Sequence, residues 1–247
     1  MEWFVLNEIS SKDLGVHLLD SPVFSLPKYK TQSKTNNNMH GSIILTGGFQ
    51  DYDMTLKIGY NRNKVEEDEI VQWLYSAYSS SRLSFSSDLE KYRNVILLNG
   101  VEFVQESRHL KTATLTFRCQ PFLKLWSQKN FDSTEDPNYA TIGHFKQSKF
   151  LNIGNYPSEP VITIKSEKDI NDLWIDGRYI CELNFTGLED KTLMLNTEKR
   201  ECTLSDGSLA NRRIKGAFPV FPVGVVNLEF TEFISSLKIN FNSRWVI

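Results

Sequence analysis

The alternation of apolar and polar positions predicts a chain built mostly from short β-strands. Apolar side chains occupy every second position from Tyr52 to Ile58 and again from Leu237 to Phe241. Successive side chains of a strand point to opposite faces of its sheet, so this period indicates strands with one buried face. Further short apolar runs of this kind lie at 3–6, 16–19, 23–26, 43–45, 82–86, 95–98, 101–105, 113–119, 161–164 and 225–230.

One segment has a helical period instead. Asn63 stands three residues before Glu66 as in a capping box, and four acids follow at 66–69, where they would stabilise the positive end of a helix. The apolar stripe at positions i, i+3, i+4, i+7 and i+8 consists of Ile70, Trp73, Leu74, Ala77 and Tyr78. The pattern predicts a helix at about 64–80 that lies on a sheet. The four acids also suggest a metal or acid–base site, but stabilisation of the helix dipole explains them more simply.

The stretch Phe150–Ile164 divides the chain. An Asn-Gly-Asn cluster and two prolines lead into a run of β-branched residues, which is typical of a stiff turn that enters a strand. We expect a mainly β protein with three parts: an α+β domain at 1–127 whose helix covers an antiparallel sheet, a polar linker at 128–149, and a β-sandwich at 150–247. The strand spacing of the last part is typical of a β-sandwich or jelly roll.

Turn residues locate the connections between these strands. Asn99–Gly100 and Asp176–Gly177 each predict a two-residue hairpin turn. The polar stretch from Tyr29 to Ser42, with three consecutive asparagines, has almost nothing to bury and predicts an exposed loop, either a mobile arm or a loop without a role.

Charge and cysteine content limit the function classes. The chain carries 28 basic and 30 acidic residues, and neither half is basic, so we expect no nucleic-acid partner. No apolar run is long enough to cross a membrane and the first residues do not resemble a signal peptide, so we expect no membrane association. Cys119, Cys181 and Cys202 are odd in number and far apart, which favours three buried thiols in a reducing compartment over disulfides.

Motifs that carry chemistry are missing. The sequence has no phosphate-binding loop, nucleophile elbow, HExxH or CxxC, and its four histidines (17, 40, 109 and 144) lie in different segments. Acid pairs such as Asp51 with Asp53 or Glu189 with Asp190 would need a measured separation to suggest a glycosidase. We therefore assign no catalytic, cofactor-binding or metal-binding residue and expect a protein that is not an enzyme. Trp174 and Tyr179, which flank a turn, leave open a lectin-like sandwich that binds carbohydrate.

Several longer segments together resemble one family. They are FVLNEISSKDLGVHLLD near the start, IVQWLYSAYSSSRLSFSSDLEKY and TLTFRCQPF in the first domain, and FLNIGNYPSEPVITI, LWIDGRYI, RIKGAFPVFPVGVVNLEF and the final Arg244–Trp245 in the second. In this order and spacing they resemble the distal tail proteins of siphophages that infect Gram-positive bacteria. The chain departs from that family at Asn38–Ser42, where the family's loop usually carries a glycine and a basic pair.

The resemblance implies a structural protein of the virion, made in the host cytoplasm and placed at the tail tip. Six copies would close into a ring through their first domains, singly or as paired rings, and form the baseplate hub that serves host attachment. The ring would join the major tail tube protein to the tail-associated lysin or tail fibre. The second domain, a galectin-like β-sandwich or jelly roll, would hold receptor-binding or other baseplate proteins. The family supplies no catalytic residues and no cofactor.

Overall fold

The computed structural model describes residues 2–35, 40, 43–127, 129–133 and 145–246 of the 247-residue chain. The backbone divides into two compact units, the first reaching Trp126 and the second running from Ser127 to Trp245. Both units are built from antiparallel strands, and the described residues contain a single α-helix, so the expected mainly β fold is confirmed.

The first unit combines one large sheet, a separate two-stranded ribbon and the helix. Its strands are β1 Phe4–Leu6, β2 Ile9–Ser10, β3 Val16–Leu18, β4 Tyr29–Lys34, β5 Ile43–Phe49, β6 Tyr52–Asn61, β7 Ser81–Phe85, β8 Asp88–Leu97, β9 Val104–Gln105 and β10 Leu110–Leu125. The helix α1 spans Glu67–Tyr75 and continues as a 3₁₀ turn, Ser76–Tyr78. The sheet order is β2-β1-β7-β8-β10-β6-β3, with β9 also paired to β10. Among the described strands, β4 pairs only with β5.

The core of the first unit lies between α1 and this sheet. On β6 the predicted alternation is confirmed, since Met54, Leu56 and Ile58 are buried while the residues between them are exposed. The apolar stripe of α1 contributes the buried Trp73, and its indole stacks on Phe4 of β1 with ring centroids 5.3 Å apart. The helix therefore covers one face of the sheet, because only that arrangement removes both apolar surfaces from water.

The predicted helix boundaries were too wide and the predicted cap was wrong. The cap residue is Glu66, which makes no side-chain capping bond, and α1 begins three residues later than expected. Asn63 instead belongs to the turn after β6, where its backbone N–H donates to Asn61 Oδ1 at 3.0 Å. At the other end, Tyr78 is not part of the buried stripe but 42% exposed.

Two further predictions for the first unit were wrong. The pair Asn99–Gly100 is not a hairpin turn, because β8 and β9 do not pair with each other and both pair with β10. The Asn99 side chain instead bridges to β10, donating to Thr114 O at 2.8 Å and accepting from Thr116 N at 2.7 Å. The apolar run at 23–26 forms no strand either, and its side chains are exposed.

In its described residues, the second unit consists of strands and one 3₁₀ turn. Its strands are β11 Lys129–Asp132, β12 Phe145–Asn152, β13 Val161–Ser166, β14 Ile170–Ile175, β15 Arg178–Asn184, β16 Thr192–Asn196, β17 Glu201–Thr203, β18 Ile214–Gly216, β19 Gly224–Phe241 and β20 Arg244–Trp245. The 3₁₀ turn is Asn211–Arg213. The range 128–149, predicted to be a linker, thus contains β11 and the start of β12, and 134–144 lie outside the described residues.

The long strand β19 organises this unit. Its first half pairs with β12 on one side and β14 on the other, and its second half pairs with β11 and β13. The sequence predicted two separate strands here, at 225–230 and 237–241. One bent strand replaces them, with register shifts near Ile234. A bent strand whose two halves pair with different strands forms a corner of a β-sandwich. Side chains from both halves contribute to a single core.

Two predictions for the second unit are confirmed. The Asp176–Gly177 pair joins β14 to β15 as a two-residue turn with φ of +50° and +72°, a backbone that favours glycine at the second position. Cys181 and Cys202 are buried free thiols, as is Cys119 in the first unit.

Candidate functional site: an exposed ribbon on the first unit

The ribbon formed by β4 and β5 is the most unusual surface of the first unit. The two strands pair from Tyr29 opposite Phe49 to Lys34 opposite Ile43, with a bulge after Tyr29. Every side chain of β4 is exposed, and on β5 so are those of Ile44 (64%) and Leu45 (45%). The ribbon thus has no buried face of its own.

Aromatic contacts hold only the base of the ribbon. The rings of Tyr29 and Phe49 stack with centroids 4.3 Å apart, and Phe49 meets Phe122 of β10 edge to face at 5.8 Å. Next to them, Gln50 N donates to Lys28 O at 2.7 Å. The base is therefore anchored on the large sheet, while the rest of the described ribbon extends into solvent.

Charge sets the ribbon apart from the rest of a nearly neutral chain. The sequence from Ser21 to Gln50 contains no acidic residue and three lysines, at 28, 30 and 34. None of these lysines forms an ion pair with a residue that the structure describes. The ribbon is a cationic surface without an internal counter-charge.

An exposed two-stranded ribbon is only marginally stable in water, because it buries too little apolar surface to offset the entropy of ordering its backbone. Its open edges also present unpaired backbone groups that can bind another chain. Exposed apolar residues, open edges and unneutralised lysines together define a surface suited to binding a protein partner.

The sequence did not predict this ribbon. It assigned Tyr29–Ser42 to a loop, whereas Tyr29–Lys34 form a strand, and it ended a strand before Gly47–Gly48, which lie inside β5. The asparagine cluster 36–38 lies outside the described residues, and so does most of Asn38–Ser42. A polar strand with no buried face lacks the alternation on which strand prediction depends, and only its partner β5 reveals it.

The carboxylates considered for chemistry make local structural contacts. Among the described residues, no group of three or more possible metal ligands occurs. The two carboxylate oxygens of Asp53 accept hydrogen bonds from Nε and Nη2 of Arg118, at 2.9 and 3.2 Å, and these bonds lower the pKa of the Asp53 carboxyl. The pKa of Asp190 is lowered by hydrogen bonds from Ser205 and from the backbone of Thr192. Both carboxylates therefore act as local structural acceptors.

The histidines remain separate as well. His17 is half-buried on β3, His40 is exposed, and His144 lies outside the described residues. The Nδ1 atom of His109 lies 2.7 Å from Asn63 Nδ2 at the exposed turn before α1. None of these contacts resembles a ligand set for a metal.

The aromatic pair considered for sugar binding is poorly arranged for it. Tyr179 is 48% exposed and Trp174 is half-buried, and their rings meet at 77° with centroids 5.5 Å apart. The Tyr179 hydroxyl donates to Lys215 O at 3.3 Å. Because the two rings are nearly perpendicular, they do not form one continuous flat platform.

Comparison with known proteins identifies the fold. No protein-family model matches the chain, and no curated protein matches it by sequence. Among solved structures, it is similar to the Dit protein of phage SPP1, described as a paradigm of the hub of the adsorption apparatus in phages that infect Gram-positive bacteria. The similarity has a TM-score of 0.68 and covers 99% of each chain at 11% identity.

Two structures of the phage p2 baseplate in its activated conformation, with Sr and with Ca, are also similar. They cover 98% of each chain at 9% identity, with TM-scores of 0.48 and 0.47. At such identities the similarity to the Dit protein concerns the fold, and it extends over both units. The chain therefore has the fold of a phage tail hub protein, as its resemblance to the distal tail family predicted. No helix in the described part of the chain is both long and apolar enough to cross a bilayer.

Proposed function

We propose that this protein is a structural component of a siphophage tail tip, a baseplate hub in which six copies close into a ring through their first units. The proposal rests on the structural similarity to the Dit hub protein, which covers 99% of each chain and therefore includes both units. The protein acts by assembly and not by catalysis. It is made in the host cytoplasm and works in the virion.

The ribbon is the element of this chain that we assign to ring closure. A ring requires a head-to-tail contact, in which a surface on one copy fits a different surface on the next. The ribbon supplies one half of such a contact, because Ile44 and Leu45 are exposed and its edges are unpaired. Lys30 and Lys34 then favour an acidic surface on the neighbouring copy.

In this proposal the ring joins the major tail tube protein on one side to the tail-associated lysin or fibre on the other. The second unit, a sandwich that we take to be galectin-like, holds receptor-binding or other baseplate proteins. Single rings and stacked pairs of rings both fit this role.

The solution mass of the purified chain tests the proposal. Light scattering over a dilution series should give a species near 171 kDa, which is six times the 28.5 kDa chain. Paired rings would give twice that mass. Since lysines contribute to the contact, added salt should increase the monomer fraction.

Matched variants assign the contact to the ribbon. Ile44→Asp places a charge on the exposed face of β5 and should leave the fold intact but produce monomer. Ile170→Asp is the control, because Ile170 is similarly exposed (50%) but lies in the second unit. The proposed ring would be refuted if the wild-type chain stayed monomeric even in the presence of purified tail tube protein.

A further inference from the structure

Among the described residues, Arg93 is a buried cation without a carboxylate partner. It lies on β8 with 3% of its surface exposed, and its Nη1 donates to the hydroxyl of Tyr52. Its Nε has no hydrogen-bond partner. No carboxylate in the described part of the chain forms an ion pair with it. Burial raises the pKa of Tyr52, so this phenol is neutral at physiological pH and does not balance the charge.

A buried guanidinium without a paired carboxylate lowers the stability of a folded protein. Arginine is permanently charged and has five N–H donors, so burying it without a paired anion is unfavourable, whereas burying an apolar side chain is favourable. Buried polar groups without a hydrogen-bond partner are rare in native proteins, so each one calls for a physical explanation. A role in binding an anionic group is one such explanation.

Arg93 also lines a cavity of about 220 Å³. Its apolar walls include Leu83, Phe85 and Leu123, and Asp88 and Lys91 also line it. The Asp88 carboxylate is bound to Lys91 at 2.7 Å, which leaves the positive charge of Arg93 unbalanced. The cavity therefore combines apolar walls with one net cation, a combination that suits an anionic group carried on an apolar stem.

The rim of the cavity points to a polypeptide as the occupant. Phe24 lines the cavity, with its ring 4.8 Å from the Arg93 guanidinium carbon and 40% exposed. Its neighbours Val23 and Leu26 are 77% and 68% exposed, and this stretch has no regular secondary structure. A small free anion would neutralise Arg93 but leave these residues in water, whereas a peptide would cover them as well.

We propose that this cavity is a binding site for an acidic side chain, with an apolar residue beside it, presented by another polypeptide. The carboxylate pairs with Arg93 and the adjacent apolar residue packs against Phe24 and the cavity wall. Arginine suits this role because its planar fork binds both oxygens of a carboxylate. This binding site is proposed independently of the ring, and peptide binding to it can be measured on the purified chain in any oligomeric state.

The test compares two peptides that differ only in charge. Acetyl-leucyl-glutamate amide and acetyl-leucyl-glutamine amide are titrated into the protein and followed by NMR chemical shifts. We expect the glutamate peptide to bind at least about tenfold more tightly, since a hydrogen bond to a charged partner is worth that ratio or more. Arg93→Met should remove the difference, and Arg212→Met, which removes an exposed arginine of the second unit, should preserve it.

Thermal unfolding separates binding from structure in the same variants. Since Arg93→Met replaces an uncompensated buried charge by an apolar chain, its Tm should equal or exceed that of the wild type. The proposal is overturned if the two peptides bind equally or not at all, or if the preference survives in Arg93→Met. Binding of propionate as tight as that of the glutamate peptide would also overturn it, because the site would then serve a small free anion. The wild-type comparison decides the matter even if the variant fails to fold.

Discussion

Trp73 is the single side chain on which the helix–sheet contact of the first unit most depends. It is 5% exposed, stacks on Phe4, and donates from Nε1 to Leu6 O at 3.3 Å. We expect Trp73→Ala to lower the free energy of unfolding by about 3–5 kcal/mol, the usual cost of emptying an aromatic site in a core. Urea titration at equilibrium measures this loss.

The control for Trp73 lies on the opposite face of the same helix. Tyr75 is 74% exposed, so Tyr75→Ala should change the stability by no more than about 0.5 kcal/mol. If the two variants lost similar amounts, Trp73 would not be the anchor of the helix.

The three thiols should make stability fall at high pH. Burial raises the pKa of Cys119 and Cys181 to about 12 and that of Cys202 to about 11, from an ordinary value near 9. Above pH 9 the unfolded chain loses thiol protons that the folded chain keeps, so the free energy of unfolding should decrease from about pH 9 up to the folded pKa values. Urea titrations between pH 7 and 10.5 measure the slope.

Cys119→Ala provides the comparison for this slope. It should be less stable at pH 7 because it leaves a small cavity, and it should lose less stability than the wild type as the pH rises. Equal slopes for the two proteins would show that the Cys119 thiol does not contribute. In the native state at pH 8, the three buried thiols should also react with a thiol reagent much more slowly than in denaturant.

At the scale of elements, the connection between β12 and β13 is fitted against β20. Asn152 is buried and its amide donates to the backbone oxygens of Tyr156, Phe221 and Pro222 at 3.1–3.3 Å. A Cβ added to Gly154 would lie only 2.2 Å from Arg244 O. The turn that the sequence identified as the division of the chain is therefore held by close backbone contact with the last strand.

We accordingly expect Gly154→Ala to destabilise the second unit by about 1–3 kcal/mol, the usual range for overpacking. The obstacle is backbone, which cannot rotate away as a side chain can. Gly100→Ala is the matched control, because nothing lies within 4 Å of the added carbon there. Thermal unfolding of both variants measures the difference, and an unchanged Tm for Gly154→Ala would contradict the close contact.

At the scale of the whole molecule, each unit has its own hydrophobic core. Among the described residues, the buried cluster of the first unit extends from Phe4 to Cys119, and that of the second extends from Phe145 to Phe241. A core made entirely within one unit contains what is needed for independent folding. We therefore expect the fragment 127–247 to fold alone and to unfold in one cooperative thermal transition.

The control is a shorter fragment, 127–232. It ends within β19 and so lacks the half that pairs with β11 and β13. We expect it to show no cooperative transition by circular dichroism and no dispersed NMR spectrum. If 127–247 behaved in the same way, the second unit would depend on the first for its stability.

The sequence alone determined those features that arise from local rules. Period-two alternation on β6 and period 3.6 on α1 directly show which side chains are buried, and Asp176–Gly177 defines a turn because few other residues adopt its backbone angles. The combined order of weak motifs across both halves resembles the distal tail protein family, and this resemblance correctly predicted the fold.

Only the tertiary structure decided features that depend on residues far apart in the chain. Strand β4 exists because β5 pairs with it, and the side chain of Asn99 bridges to β10 instead of closing a hairpin. Likewise, β19 is one strand because β13 and β14 engage its two halves. The isolated charge of Arg93 was equally hidden, since an arginine in a strand is ordinarily exposed or paired. Hydrogen bonding and burial are set by neighbours in space, and local sequence does not encode which neighbours those are.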